Sequence, residues 1–128
     1  MKVLYRIKKN LRHMSYLKMM LKDLQQNFPE NAQACKEIEE EILKKNFDYQ
    51  KNVKRIKDMF RDKIQEGFQK IKKETGKNTE FTFSNDMIDY KTGLMLVETI
   101  AQTGKKISKG SGWSRLSARA IAIKNLTN

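Results

Sequence analysis

The sequence predicts an all-α fold, a helical bundle built on a long helical hairpin plus a C-terminal helical pair. Two observations carry this. Apolar residues recur at steps of three and four in four separate segments, the spacing of helices that bury one face. Only residues 80–84 alternate in the manner of a strand. At 128 residues the chain has the length of one domain, since domains most often run to about 100–150 residues. Residues 1–128 are therefore expected to form a single all-α unit.

The first helix is expected over residues 3–28. Leu4, Ile7, Leu11, Met14, Leu17, Leu21, Leu24 and Phe28 form its stripe, and Lys2, Arg6, Lys9 and His13 share another face. Pro29 ends it, because the residue before a proline is pushed out of the helical region. A second helix is expected over residues 31–74, with Asn31 placed as its N-cap. Its stripe runs through Cys35, Ile38, Ile42, Tyr49, Val53, Ile56, Phe60, Ile64, Phe68 and Ile71. The stripe misses a beat near Asn46, so a break between residues 46 and 48 would divide it in two. Unbroken, it would span about 66 Å at 1.5 Å per residue, more than a domain of this size can bury. It either breaks or projects toward a partner.

Residues 75–79, with Gly76, read as a turn. Residues 80–84 have no evident pairing partner and read as an extended connector tucking Phe81 and Phe83 into the core. Ser84 or Asn85 then caps a third helix over residues 85–103, with Asp86 and Asp89 near its positive end. Met87, Tyr90, Leu94, Val97 and Ala101 are its stripe, widened by Ile88 and Met95. Gly93 falls mid-pattern as a point of close packing or a kink, and Gly104 is a C-terminal stop. Residues 105–112 read as a flexible basic loop. A last, Ala-rich helix is expected over residues 113–125, with Trp113, Leu116, Ala120 and Ile123 on one side.

Charge narrows the function. The net charge is +12, from 27 Lys and Arg against 15 Asp and Glu, with a single cysteine. Cys35 alone forms no internal disulfide, so the chain reads as intracellular. No stretch of 18 apolar residues exists to span a membrane, and charges throughout the first 28 residues interrupt any secretory h-region. Lysine outnumbers arginine by 21 to 6, which suits phosphate attraction better than bidentate base readout. An AT-rich genome encodes the same Lys, Asn and Ile excess by default, and a phage or mobile-element origin fits that composition. By segment the net charges are +6 (1–28), −3 (29–50), +6 (51–77), −3 (78–104) and +6 (105–128).

Catalytic chemistry is scarce. His13 is the only histidine, so neither a two-His metal motif nor a Ser-His-Asp triad can be built. Cys35 falls on an apolar stripe and reads as core. Glu37, Glu40 and Glu41, and Asp58 with Asp62, read as solvated helix faces, although a magnesium nuclease needs little beyond acids. The expectation is a non-enzyme with no cofactor and no metal site.

The last 24 residues carry the main functional signal. Lys105, Lys106, Lys109, Arg115, Arg119 and Lys124 surround Trp113 with no acid among them. The glycines at 110 and 112 would let backbone approach a phosphodiester, and a helix N-terminus near Ser114 would add N–H donors. Trp113 either stacks on an unpaired base or anchors the last helix. A second basic cluster is Lys51, Lys54, Arg55 and Arg61. Lys70, Lys72, Lys73 and Lys77 crowd the end of the long helix, where they also complement its dipole. These residues point to a small basic protein that contacts nucleic-acid phosphates with little sequence readout, DNA or RNA being undecided. A helix-turn-helix from the last two helices would need a turn of about eight residues against the usual three or four. The alternative is a protein–protein module, an adaptor, assembly component or inhibitor docking on a nucleic-acid-processing complex. Either way a homo-oligomer or a larger protein partner is expected.

Overall fold

In the computed structural model the described backbone covers residues 2–44, 46–91 and 93–127, with side chains described from residue 14 onward except at 83 and 84. Three helices come first: α1 (Lys2–Asn27), α2 (Ala32–Ile42) and α3 (Tyr49–Thr75). A short 3-10 turn, Pro29–Asn31, joins α1 to α2. Asn31 stands at the start of α2, but its side chain makes no capping hydrogen bond. Helix ends at Ile42 and resumes at Tyr49, where the Asp48 carboxylate caps α3 by accepting the Lys51 N–H at 3.1 Å. That cap satisfies one of the donors every helix start leaves open.

The all-α expectation is overturned after Gly76. The chain there forms three strands, β1 (Glu80–Ile88), β2 (Met95–Thr103) and β3 (Lys106–Gly112), followed by α4 (Arg115–Thr127). They pair antiparallel in the order β1-β2-β3. The fold is mixed: helices, then a three-stranded sheet, then a helix packed on it. The third helix expected over residues 85–103 is a β-hairpin. The segment expected as a C-terminal helical pair holds one helix, which rules out a helix-turn-helix there.

The alternation in β2 shows why helical spacing is misleading here. Val97, Thr99, Ala101 and Thr103 are buried, while Leu96, Glu98 and Ile100 are half-buried and Gln102 is exposed. Two of the four inward residues are threonines, so an apolar count misses the period of two. Thr103 shares a 2.8 Å hydroxyl hydrogen bond with Thr79, which lets that polar group sit inside. Residues 80–84 do have a partner: Phe81 stands opposite Ala101, and the register slips between Phe83 and Asn85. Ser84 is therefore the extra residue of a bulge, not a helix cap.

Both hairpin turns rest on glycine. Gly93 has φ of 71°, and its N–H reaches the Asp89 carbonyl at 2.7 Å while the Asp89 N–H reaches Leu94. Gly104, at φ 59°, is the first central residue of the two-residue β2–β3 turn, the position where a II′ turn calls for glycine. Neither marks a helix.

Residues 106–112 form a strand, not a loop, and the glycine at 110 has a steric cause. A Cβ there would stand 2.2 Å from the Ala122 amide nitrogen and 2.5 Å from the Ala118 carbonyl oxygen. α4 thus lies directly on β3, brought close by its own alanines. Ser117, Ala118, Ala120, Ile121, Ala122, Ile123 and Leu126 are all buried. Ala120 and Ile121 complete a core made by Leu17, Met20, Leu24, Phe28, Cys35, Ile38, Ile56 and Phe60. Ala122, Ile123 and Leu126 complete a second with Ile71 and Ala101, bordered by Phe68 and Phe81. No described helix is long and apolar enough to cross a membrane.

Candidate nucleic-acid interface

The β2–β3 turn brings together lysines that are remote in sequence. α3 ends with Lys72 and Lys73 exposed, and Lys72 Nζ donates to the Gly76 carbonyl at 3.1 Å. Lys77 follows, and its Nζ lies 3.1 Å from where a Cβ on Gly104 would stand. Lys105 and Lys106 come next along the chain, both exposed. The shared Thr79–Thr103 hydrogen bond holds the two segments side by side. Lys72, Lys73, Lys77, Lys105 and Lys106 thus crowd one end of the molecule, with Glu74 and Glu80 as the neighbouring acids in sequence. Among the described residues none of these five lysines forms an ion pair.

The other expected contact residues divide by position. Lys109 lies mid-strand on the sheet face away from α4, 4.0 Å from Glu98. Arg115 is exposed at the start of α4. Arg119 packs over the Phe81 ring at 5.5 Å. Lys124 donates to the Asn27 carbonyl and covers the Phe28 ring at 5.5 Å. The last two are drawn into packing, where their aliphatic stems cover apolar surface.

The cluster on α3 stands apart. Lys54 meets Asp58 at 3.5 Å, Arg61 meets the same carboxylate at 3.0 Å, and Arg55 meets Glu37 at 3.2 Å. From Lys51 to Lys73 the helix rises roughly 33 Å at 1.5 Å per residue, so this cluster and the β2–β3 turn lie at opposite ends of α3. The basic face of α1 around Lys2, Arg6, Lys9 and His13 falls outside the described side chains.

The start of α4 is internally satisfied rather than open to a phosphate. Ser114 Oγ accepts the Ser117 N–H at 3.1 Å, and Ser117 Oγ accepts the Ser114 N–H at 3.0 Å. The Trp113 N–H donates to Asp23 Oδ2 at 2.9 Å. Burial raises the Asp23 pKa, partly offset by that N–H, by Ser117 and by Lys22. The Trp113 ring is half-buried and lines a hollow with Met87, Ile88, Asp89, Tyr90, Lys91 and Leu96. Cys35 is fully buried, and burial, with Glu39 nearby, pushes its thiol up to about 11. It is a core residue, not a nucleophile.

In sequence Lys72, Lys73 and Lys77 read as a basic cluster that also complements the helix dipole, and Lys72 does bond a carbonyl at the helix end. Their proximity to Lys105 depends on a hairpin turn that the helical periodicity hid. The Gly104-Lys105 pair following a stretch rich in β-branched residues (Val97, Thr99, Ile100 and Thr103) was the available signal, while residues 106–112 hold only Ile107 of that kind. No protein-family model matches the chain, and no curated protein matches its sequence.

Proposed function

We propose that this protein binds nucleic acid through the phosphate backbone, using the lysine end formed by α3 and the β2–β3 turn. The supporting observation is the gathering of Lys72, Lys73, Lys77, Lys105 and Lys106 from two segments of the chain, Lys77 lying against Gly104. Flexible exposed lysines act as point charges on phosphates and read little sequence. The role is binding rather than catalysis, and DNA and RNA are equally served by it.

The test is fluorescence anisotropy of a labelled oligonucleotide over a salt series. Four or five phosphate contacts on duplex give a slope of log K against log salt of about −4, at roughly −0.9 per contact. Replacing Lys77, Lys105 and Lys106 with Glu is expected to weaken all sequences alike and to flatten the slope by about 3. Replacing Lys51, Lys54 and Arg61 with Glu, at the other end of α3, removes the same charge and is expected to have a much smaller effect. Equal losses from the two triple variants would mean that net charge alone, and not this end, governs binding.

A second role, docking on a larger protein partner, has its own support. Leu43 is 87% exposed at the end of α2. It borders a hollow between α1 and α2 lined by Lys18, Leu21, Lys22, Gln25, Glu39 and Ile42. Leu43→Ser would abolish such docking while leaving the salt-dependent binding unchanged.

A further inference from the structure

The sheet has one covered face and one open face. Val97, Thr99, Ala101 and Gly110 turn toward the interior, while Leu96, Glu98, Ile100, Ile107 and Lys109 alternate to the other side. At the end of this open face, beside the β1–β2 turn, the surface is strongly apolar. Met87 is 53% exposed, Ile88 64% and Tyr90 96%. With Leu96, Trp113 and Lys91 they line an open hollow of about 480 Å³. That volume is within the roughly 300–1,000 Å³ of small-ligand clefts. A tyrosine held almost wholly in water contributes nothing to folding by burial, and its ring, lining the same hollow as the half-buried indole, is free to meet an external partner.

We infer that this hollow receives an unpaired nucleobase, so that the bound nucleic acid is single-stranded across the open sheet face. The inference rests on the phosphate-binding role proposed for the lysine end. A base offers flat π-faces, on which the rings of Trp113 and Tyr90 can stack and against which the apolar side chains of Met87 and Leu96 can pack. Its attached phosphate meets Lys91. Stacking of this kind tolerates any sequence, because every base has a π-face. Of the acids nearby, Asp89 lines the hollow and its Oδ1 accepts the Lys91 N–H at 3.3 Å, Glu98 faces Lys109 at 4.0 Å, and Asp86 stands exposed on β1 opposite Val97. β3 connects the hollow to the lysine end. Its six steps from Lys106 to Gly112 span about 20 Å at 3.4 Å each, with Lys109 midway. A strand lying along it would make backbone contacts at Lys105 and Lys106, pass Lys109, and seat a base at Trp113. Its footprint would be at the short end of the roughly 4–16 nucleotides covered by single-strand-binding modules. A duplex cannot present a base in this way without unpairing.

Trp113 is the only tryptophan, so its emission reports directly on the hollow. The full chain is titrated with a 12-nucleotide oligothymidylate and, separately, with an abasic deoxyribose-phosphate strand of equal length and charge. Quenching and tight binding by oligothymidylate, with binding but no quenching by the abasic strand, is the expected result. Tyr90→Ala and Trp113→Ala should each weaken oligothymidylate roughly 5- to 150-fold and leave the abasic strand unaffected. Tyr90 is exposed enough that its removal leaves the fold intact, so the test survives if the Trp113 variant does not fold. Equal affinity for the two strands with no change in emission overturns the base site and leaves the lysine end standing. Binding of neither strand above an unrelated protein of equal charge overturns both. Self-association that buries Trp113 in the absence of any oligonucleotide would assign the hollow to a second copy of this chain and overturn the inference.

Discussion

Asp23 belongs to α1, yet its carboxylate holds the backbone of Trp113, 90 positions later in the chain. Burial favours its protonated form, so the folded protein keeps that proton to a higher pH than the unfolded chain, whose value is near 3.8. The sign follows from linkage. A raised folded pKa contributes stability that is fully present below 3.8 and is lost as pH rises through the folded value. Asp23→Asn keeps an acceptor for the Trp113 N–H and removes the charge. The difference in Tm, variant minus wild type, should therefore be more positive at neutral pH than at about pH 3.5. Thermal melts at the two pH values measure it, and an identical difference at both would mean that Asp23 does not titrate in this way. Such a contact is invisible in sequence, because nothing about an aspartate among lysines says that it faces inward. Lys124 and Arg119 show the converse. Their charges are legible, but whether a long side chain reaches solvent or lies over Phe28 or Phe81 depends on which element packs there.

Among the elements, α1, the interruption before Tyr49 and the last helix were legible, because each has a strong helical stripe or a cap. The β1–β2 hairpin was not. Its residues satisfy helical spacing at Met87, Tyr90, Leu94, Val97 and Ala101, and the buried threonines disguise the strand alternation. Asp89 and Gly93 were the better evidence, as a short glycine-containing turn between two stretches rich in β-branched and aromatic residues. The two kinds of glycine in the sheet can be told apart by experiment. At Gly93 a Cβ would meet open space, so Gly93→Ala should cost only the left-handed backbone penalty of about 1–2 kcal/mol. At Gly110 the same methyl would strike the backbone of α4, which no rotamer change relieves. Gly110→Ala should exceed the roughly 1–3 kcal/mol typical of overpacking. Urea midpoints at unchanged slope give both values, and a Gly110→Ala cost no larger than that of Gly93→Ala would contradict the packing of α4 on β3.

At the scale of the whole molecule, α4 belongs to two cores at once, one on the helical side and one on the sheet side. Neither side closes without it, so the two should unfold together. Melting followed by far-ultraviolet circular dichroism, which reports mostly the helices, should coincide with melting followed by Trp113 emission, as a two-state transition requires. Separate midpoints would show that the two sides unfold independently, the one with the higher midpoint outlasting the other. The same placement orders events in time. α1, α2 and α3 leave the ribosome first, and roughly fifty residues are still to be added before α4 is complete. At about 5–20 residues per second that is a wait of roughly 3–10 s. Throughout it Ile71 lacks Ala101, Ala122, Ile123 and Leu126, and the helical core lacks the Ala120 and Ile121 that complete it. For those seconds the nascent helices have every reason to seek a temporary cover, and a chaperone that recognises apolar helix faces would find its substrate in this interval rather than in the finished protein.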